Sequence, residues 1–206
     1  MDTAMTITKT AGTTIRGRQR GFSLVEVMIA IVVMTIGLLA VVASIATGLA
    51  STENAQEDLI ARQKAREALE SIYTARNSQQ IPFNSINNVA SGGIFLSGAN
   101  PLYCAGPDGL VGTTDDVPCT TMSGATCPNA GIECMVLPGP DGRLGTADDV
   151  TMSLGNFSRT ITIGQVLLPD GTVNQNLLSI SVAITYQKTG LPPRTYTVSG
   201  LISQFH

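Results

Sequence analysis

A long uncharged segment near the amino terminus constrains the fold more than any other feature of this chain. Residues 27–52 contain neither a charge nor a proline, and most of them are apolar. A helix needs about 20 predominantly apolar residues to cross a bilayer, so this segment is long enough to span one. Arg16, Arg18 and Arg20 precede it. Because positive residues near a span stay on the cytoplasmic side, residues 1–21 are predicted in the cytoplasm and the body outside.

The charge distribution supports this topology and disfavours one class of partner. The 206 residues include 12 Lys and Arg and 15 Asp and Glu, a net charge of −3. Residues 1–21 hold four basic residues and one acidic residue, a balance of +3, which leaves −6 for the rest. An acidic body without a basic stripe interleaved with aromatic residues does not favour nucleic acid as a partner.

A single carboxylate, Glu26, lies at the start of the apolar segment, and three interpretations accommodate it. A cleavable secretory signal fits the small residues at 48–50, but the segment exceeds the roughly 7–15 apolar residues of such signals. An ordinary membrane anchor would place Glu26 near the interface, where it snorkels to water. The third interpretation gives the carboxylate a role, and it rests on a resemblance.

The sequence GFSLVEVMIA at residues 21–30 resembles the class III signal of type IV pilins and type II secretion pseudopilins. The resemblance implies that a prepilin peptidase cuts between Gly21 and Phe22 and methylates the new amino group of Phe22. It also makes Glu26 the assembly glutamate of that family. The implied partners are the peptidase, other pilin or minor pilin subunits, an inner-membrane assembly platform and membrane lipid.

The energetics of Glu26 agree with that role. A charged side chain at the centre of a membrane helix costs about 2.5–3.5 kcal/mol on insertion scales. Cleavage creates a cation, the amino group of Phe22. In the resembling family the glutamate of an incoming subunit meets this group of a subunit already in the filament. Such pairing would remove most of the cost and fix the axial register of the new subunit.

Residues 26–44, EVMIAIVVMTIGLLAVVAS, are similar to minor pilins of the type IV pilus modification protein PilV type. This similarity implies a single-pass inner-membrane protein with a cytoplasmic amino terminus and a periplasmic head, which later enters or primes a cell-surface filament. Two alternatives stay open. One is a minor pseudopilin of type II secretion, and the other is a membrane-anchored envelope protein that binds calcium or another ligand and forms no filament.

The helical pattern continues beyond the apolar segment, because residues 51–77 are rich in strong helix formers. Four residues at spacings of four, four and three form an apolar stripe: Ala61, Ala65, Leu69 and Ile72. Two i,i+4 ion pairs are predicted on the opposite face: Asp58 with Arg62, and Arg66 with Glu70. The polar run at 77–80 and Pro82 end the helix. If continuous from about residue 23, it is about 80 Å long at 1.5 Å per residue.

The rest of the chain changes character twice. Residues 83–155 are rich in Gly, Asn, Ser, Thr and Pro and are predicted as long loops. From residue 157 onwards a two-residue period predicts strands, with one apolar face and one polar face. In the central strand the apolar face holds Leu178, Ile180, Val182, Ile184 and Tyr186, and the polar face holds Ser179, Ser181 and Thr185. Turn signals at 169–171 and 188–193 separate the segments, which predicts a three- or four-stranded antiparallel sheet.

These elements predict an α+β fold, which matches the pilin plan of a long N-terminal spine helix whose C-terminal half packs on a small antiparallel sheet with long disulfide-held loops. The expected organisation has four parts. They are a leader at 1–21, the transmembrane half of the spine at 22–50, its periplasmic half at 51–77, and a head at 78–206 with its sheet at about 157–205.

The four cysteines, Cys104, Cys119, Cys127 and Cys134, fall within 31 residues. Clustered, even-numbered cysteines in an exported domain favour two disulfides, and three connectivities are open. Sequential pairing is the one we favour. Zinc is disfavoured because there is no C-x-x-C pair.

An acidic motif occurs twice, as GPDGLVGTTDDV and GPDGRLGTADDV, at an offset of 33 residues. Each copy supplies three carboxylates on a glycine-rich loop, and calcium prefers six to eight oxygen ligands on flexible backbone. The six candidate ligands are Asp108, Asp115, Asp116, Asp141, Asp148 and Asp149. A duplicated turn that binds no metal is the alternative.

No enzymatic function is predicted. The single histidine is the last residue, and the chain contains no nucleophile elbow, phosphate-binding loop or H-E-x-x-H pattern. Adjacent acids such as Asp115 and Asp116 could exchange protons, but on a turn they are usually solvated. No cofactor is therefore predicted apart from the candidate calcium.

Overall fold

The computed structural model describes residues 21–187 and 192–205. Most of the leader and most of the predicted turn at 188–193 lie outside the described residues. The chain divides into two compact units, residues 1–50 and 51–206, and one helix, α1 (Leu24–Asn77), contributes residues to both. Two single-turn 3₁₀ helices follow at Phe83–Ser85 and Val89–Ser91.

The described residues also form eight strands. They are β1 (Asn100–Pro101), β2 (Cys119–Met122), β3 (Ala125–Gly131), β4 (Cys134–Leu137), β5 (Val150–Ser153), β6 (Phe157–Leu167), β7 (Val173–Tyr186) and β8 (Arg194–Ser203). The α+β arrangement of a long apolar N-terminal helix followed by an antiparallel sheet is the predicted one, and that prediction is confirmed.

The first unit presents an apolar helical surface. All of its described residues, 21–50, are exposed in the isolated chain. Its most apolar 18-residue window has a mean hydropathy of 2.8, which makes α1 long and apolar enough to cross a membrane. The hydroxyls of Thr35 and Thr47 donate to the carbonyls of Val32 and Ser44 at 2.8 and 2.9 Å. These two polar side chains therefore place no unpaired donor on the apolar surface.

In the second unit, one face of α1 is buried against the sheet and its loops. The predicted apolar stripe lies on this face and is confirmed. The buried apolar residues are Ile60, Ala61, Ala65, Ala68, Leu69, Ile72 and Ala75. Because four of the seven are alanines, the helix can approach its neighbours closely.

The exposed face and the end of α1 agree with the prediction in part. Arg62 donates to Asp58 at 2.8 Å, as predicted. The predicted partnership of Arg66 with Glu70 is not among the ion pairs within 4.0 Å formed by the described residues, so that prediction is wrong. The helix ends at Asn77.

The main sheet has the strand order β1-β6-β7-β8, and all its pairings are antiparallel. Ile161 of β6, Val182 of β7 and Val198 of β8 lie in one row across it. The predicted alternation is confirmed, since Ile180, Val182, Ile184 and Tyr186 are buried while the intervening residues are not. Their burial supplies much of the core of this unit.

A glycine allows α1 to contact β8. A Cβ atom at Gly200 would lie 2.1 Å from the hydroxyl oxygen of Tyr73. That hydroxyl donates to the carbonyl of Leu201 at 3.0 Å. The ring of Tyr73 therefore occupies the space that a side chain at position 200 would need.

The segment predicted as loops contains five short strands, of which β1 joins the main sheet and the other four form two hairpins. β2 pairs with β3, and β4 pairs with β5. The sequence gives little signal for them because each pairing is short and the first contains a register shift. Disulfides, rather than a continuous apolar face, hold the first hairpin and join it to β4.

Candidate functional site

The predicted processing site lies immediately before the helix. Gly21, Phe22 and Ser23 precede α1, and the side chain of Phe22 is 80 % exposed. The amide of Val27 donates to the carbonyl of Ser23 at 3.1 Å, which makes Ser23 the residue that opens the first helical turn. The Gly21–Phe22 bond thus belongs to a short non-helical segment that an enzyme could reach.

Glu26 occupies the first turn of α1. A negative charge is favoured there because the amino end of a helix carries a partial positive charge. Glu26 shares one side of the helix with Phe22 and Ala30, which are four residues away in either direction. Among the described residues it forms no ion pair. The carboxylate is therefore an isolated charge on an otherwise apolar surface.

The acidic repeats form two loops, which we name the first acidic loop (residues 106–117) and the second acidic loop (residues 139–150). Both open with the same turn, in which the amides of Gly109 and Gly142 donate to the carbonyls of Gly106 and Gly139, each at 3.0 Å.

Glycine is required at the first position of each loop. A Cβ atom at Gly106 would lie 2.1 Å from the carbonyl oxygen of Asp115, and one at Gly139 would lie 2.2 Å from that of Asp148. The two ends of each loop approach so closely that no side chain fits between them.

The carboxylates of the first acidic loop accept hydrogen bonds from the backbone of the same loop. Asp108 accepts from the amide of Leu110 at 2.8 Å. Asp115 accepts from the amide of Asp108 at 3.2 Å. Asp116 accepts from the amide of Gly112 at 2.8 Å. The acidic residues therefore act as the cross-links of the turn.

The second acidic loop repeats these contacts. Asp141 accepts from the amide of Arg143 at 2.8 Å, and Asp148 accepts from the amide of Asp141 at 3.2 Å. Asp149 accepts from the amide of Gly145 at 2.7 Å. The repeat in the sequence is thus a repeat in conformation.

A threonine hydroxyl completes each loop. Thr113 donates to Asp115 and Thr146 donates to Asp148, both at 2.7 Å. These bonds favour the ionised carboxylates, so they lower the pKa of Asp115 and of Asp148. Burial instead raises the pKa of Asp108.

In this conformation most carboxylate oxygens of the predicted calcium ligands accept hydrogen bonds from the loops' own amides and hydroxyls. Among the residues that the structure describes, no group of three or more His, Cys, Asp or Glu is placed to hold a metal. Calcium binding stays a prediction, and it would require some of these hydrogen bonds to be exchanged for metal ligation.

The two disulfides join the loops and hairpins. Cys104 pairs with Cys119 and Cys127 pairs with Cys134, which is the sequential connectivity. The first encloses the first acidic loop, whose end is also fixed by an antiparallel bridge between Cys104 and Val117. The second links β3 to β4.

A buried charge cluster was missed by sequence reasoning. Lys64 of α1, Glu133 and Arg159 of β6 are only 6 %, 4 % and 2 % exposed. Lys64 donates to Glu133 and, at 2.8 Å, to Glu67. Burial acts to lower the pKa of Lys64, but the two carboxylates outweigh it and the pKa is raised. One signal was available, since Arg159 occupies an inward position of an alternating strand.

A comparison with known families matches the amino-terminal part of the chain. The family described as the prokaryotic N-terminal methylation motif matches residues 16–42. No curated protein and no solved structure matches the chain significantly. The matched residues include Gly21, Phe22 and Glu26. The motif supports a type IV pilin-like or pseudopilin protein and implies processing by prepilin peptidase. With the apolar helix, it points to membrane anchoring and to a structural subunit rather than an enzyme.

Proposed function

We propose that this chain is a minor type IV pilin that is cleaved and N-methylated by prepilin peptidase and then enters or primes a type IV pilus. One juxtaposition carries the proposal. The methylation motif at residues 16–42 includes the start of an exposed apolar helix, and the first turn of that helix holds a single carboxylate. A membrane anchor alone needs the apolar residues but not the acid.

The proposed organisation follows the topology. Residues 1–21 are a cytoplasmic leader, 22–50 the membrane half of the helix, 51–77 its periplasmic half and 78–206 the head. Three arginines before the span support this orientation. The two disulfides support a periplasmic head, because disulfides persist in oxidising compartments.

Processing and assembly use adjacent residues. Cleavage between Gly21 and Phe22 releases the amino group of Phe22. In the apolar interior of the filament, or in lipid, Glu26 of one subunit pairs with that group of another. The pair offsets a burial cost of about 2.5–3.5 kcal/mol for the acid. Two apolar helices can slide along each other with little change in their contacts. The charge pair therefore also sets the axial register of one subunit against the next.

Two measurements test the proposal. Mass spectrometry of the mature protein should find N-methylated phenylalanine at position 22. Glu26→Ala should leave processing intact and reduce incorporation into the filament at least about tenfold, since one tenfold step corresponds to 1.4 kcal/mol. Glu70→Ala, an acid on the periplasmic half of the same helix, is the matched control and should assemble normally. Normal incorporation of Glu26→Ala would overturn the assembly role.

The alternatives give different results in the same experiments. A type II secretion pseudopilin would also carry methylated Phe22, but its deletion would impair secretion and leave surface pili intact. A membrane-anchored envelope protein that binds a ligand and forms no filament would keep its leader or be cut after Ala50.

A further inference from the structure

The buried charge cluster has fewer negative than positive groups in its interior. Glu133 lies between two buried cations, accepting a hydrogen bond from Lys64 and lying 3.9 Å from the guanidinium of Arg159. The second partner of Lys64, Glu67, is at the surface, with 47 % of its side chain exposed. Glu133 is therefore the carboxylate that balances both cations inside the head.

Glu133 is the main negative charge that compensates the buried guanidinium of Arg159. Its Nε and Nη1 atoms are buried and have no hydrogen-bond partner among the described residues. Burial lowers the pKa of Arg159, and among the carboxylates that act to raise it Glu133 comes first, ahead of Asp116 and Glu67. If Glu133 left the interior, both buried cations would lose their buried carboxylate partner, which is strongly destabilising.

The segment that carries Glu133 is held by the disulfides and by backbone bonds. Glu133 directly precedes Cys134, whose disulfide partner is Cys127. Its amide donates to the carbonyl of Leu102 at 2.8 Å, and its carbonyl accepts from Leu154 at 3.0 Å. Around this segment the buried side chains of the local cluster are cysteines: Cys119, Cys127 and Cys134. Disulfide bonding takes the place of an aliphatic core here.

We propose that the Cys127–Cys134 disulfide is a positioning device for Glu133, so that the charge balance of the head depends on this disulfide. Without it, only backbone hydrogen bonds hold the segment between β3 and β4 in place. When those bonds open, the carboxylate leaves the interior with the segment. The cost of losing this disulfide is then mainly the cost of leaving two buried cations without their buried carboxylate partner.

Loop length makes the opposite prediction, which allows a sharp test. In the chain-entropy account a disulfide stabilises more when it closes a longer loop. The sequence separation is 15 residues for Cys104–Cys119 and 7 for Cys127–Cys134. Loop closure alone therefore ranks the first disulfide above the second, whereas the proposal reverses the ranking.

The experiment compares two variants of the full chain in detergent micelles, Cys104→Ala/Cys119→Ala and Cys127→Ala/Cys134→Ala. Thermal unfolding is followed by near-ultraviolet circular dichroism of the tyrosines. The second variant should show the larger fall in Tm, or fail to fold. Hydrogen exchange at the Leu154 amide, which donates to Glu133, should become fast in the second variant only. A larger fall in Tm for the first variant, or a protected Leu154 amide in the second, would contradict the proposal.

A variant without the buried charges tests whether the Cys127–Cys134 disulfide stabilises the head through Glu133 or independently of the charges. Lys64→Met/Glu133→Leu/Arg159→Met replaces the cluster by apolar residues, a change that buried ion clusters often tolerate. In this background, loss of Cys127–Cys134 should lower Tm less than loss of Cys104–Cys119. If the ranking is the same as with the charges present, or if the charge-free chain does not fold, the proposal is wrong.

Discussion

The two acidic loops have the same conformation in different surroundings. The corresponding hydrogen bonds described above differ by no more than 0.1 Å. Yet Leu110 and Thr113 of the first loop are each 1 % exposed, whereas Leu144 of the second is 64 % exposed. The shared glycines and aspartates therefore determine the shape of the loop and not its place in the fold.

The positions that differ between the copies account for the difference in burial. The first loop has Leu110 where the second has Arg143. Leu110 belongs to the core, and a Cβ atom at Gly112 would lie 2.7 Å from the side chain of Ile161. Burying Arg143 in the same way would require a partner for its charge. One loop is thus part of the core, whereas its copy lies at the surface.

The largest expected difference comes from truncating this variable position. Leu110→Ala should lower the free energy of unfolding by about 2–4 kcal/mol, because a buried leucine loses its contacts and leaves a cavity. Arg143→Ala should change it by less than about 0.5 kcal/mol, as exposed substitutions usually do. Urea unfolding of the full chain in detergent measures both. Equal effects would mean that the first loop is not part of the core.

Replacing the matched glycines of the two loops should give a smaller difference in the free energy of unfolding. Gly112 and Gly145 have positive φ angles, +78° and +86°. An alanine costs about 1–2 kcal/mol in that region in either loop. Only Gly112 also faces a neighbour, so Gly112→Ala should cost about 2–3 kcal/mol in total, including the displacement of Ile161. The same unfolding measurement decides this, and a larger effect at Gly145 would contradict the account.

The long elements could be predicted from the sequence because their patterns repeat many times. The helix followed from composition and spacing, and β7 followed from five alternating apolar residues. The hairpins could not be predicted in this way, since four-residue strands such as β2 and β4 give too few repeats. The contacts of Asn88 were equally unpredictable. Its side-chain amide donates to the carbonyl of Ile161 and accepts from the amide of Ile163, both in β6. No local pattern predicts that contact.

The residues of the candidate site also differ in whether the local sequence predicts them. Gly21, Phe22 and Glu26 could be proposed as processing and assembly residues because the family motif at residues 16–42 is a local sequence. The partnership of Lys64 with Glu133 could not, because the two are 69 residues apart and each resembles a surface residue. Only the tertiary fold places them together.

The threonine bonds predict a pH dependence of modest size. Thr113→Val removes the donor to Asp115 and should cost about 1 kcal/mol at neutral pH. Because this bond lowers the pKa of Asp115, its contribution is present above the ordinary aspartate pKa of about 3.9 and is lost as the pH falls through the lower folded-state pKa. The variant and the wild type should therefore converge in stability once the pH lies below the folded-state pKa of Asp115.

Thr146→Val is the matched change in the exposed loop. Its cost at neutral pH should be smaller than that of Thr113→Val, because water can replace the lost donor. NMR titration should show a raised pKa for Asp115 in the first variant and for Asp148 in the second. An unchanged carboxylate pKa in either variant would show that the hydroxyl is not its partner in solution.

Calcium should give the smallest effect and should distinguish the loops most clearly. A cation can reach the second acidic loop without disturbing the core, whereas in the first loop it would compete with bonds next to Leu110 and Arg159. Calcium at a concentration equal to its Kd would stabilise the chain by about 0.4 kcal/mol. Asp148→Asn/Asp149→Asn should abolish this shift in Tm, and Asp115→Asn/Asp116→Asn should preserve it. If millimolar calcium does not shift the Tm of the wild type, the repeated spacing of the aspartates serves only to form the turn. The carboxylates already accept hydrogen bonds from donors within the loop.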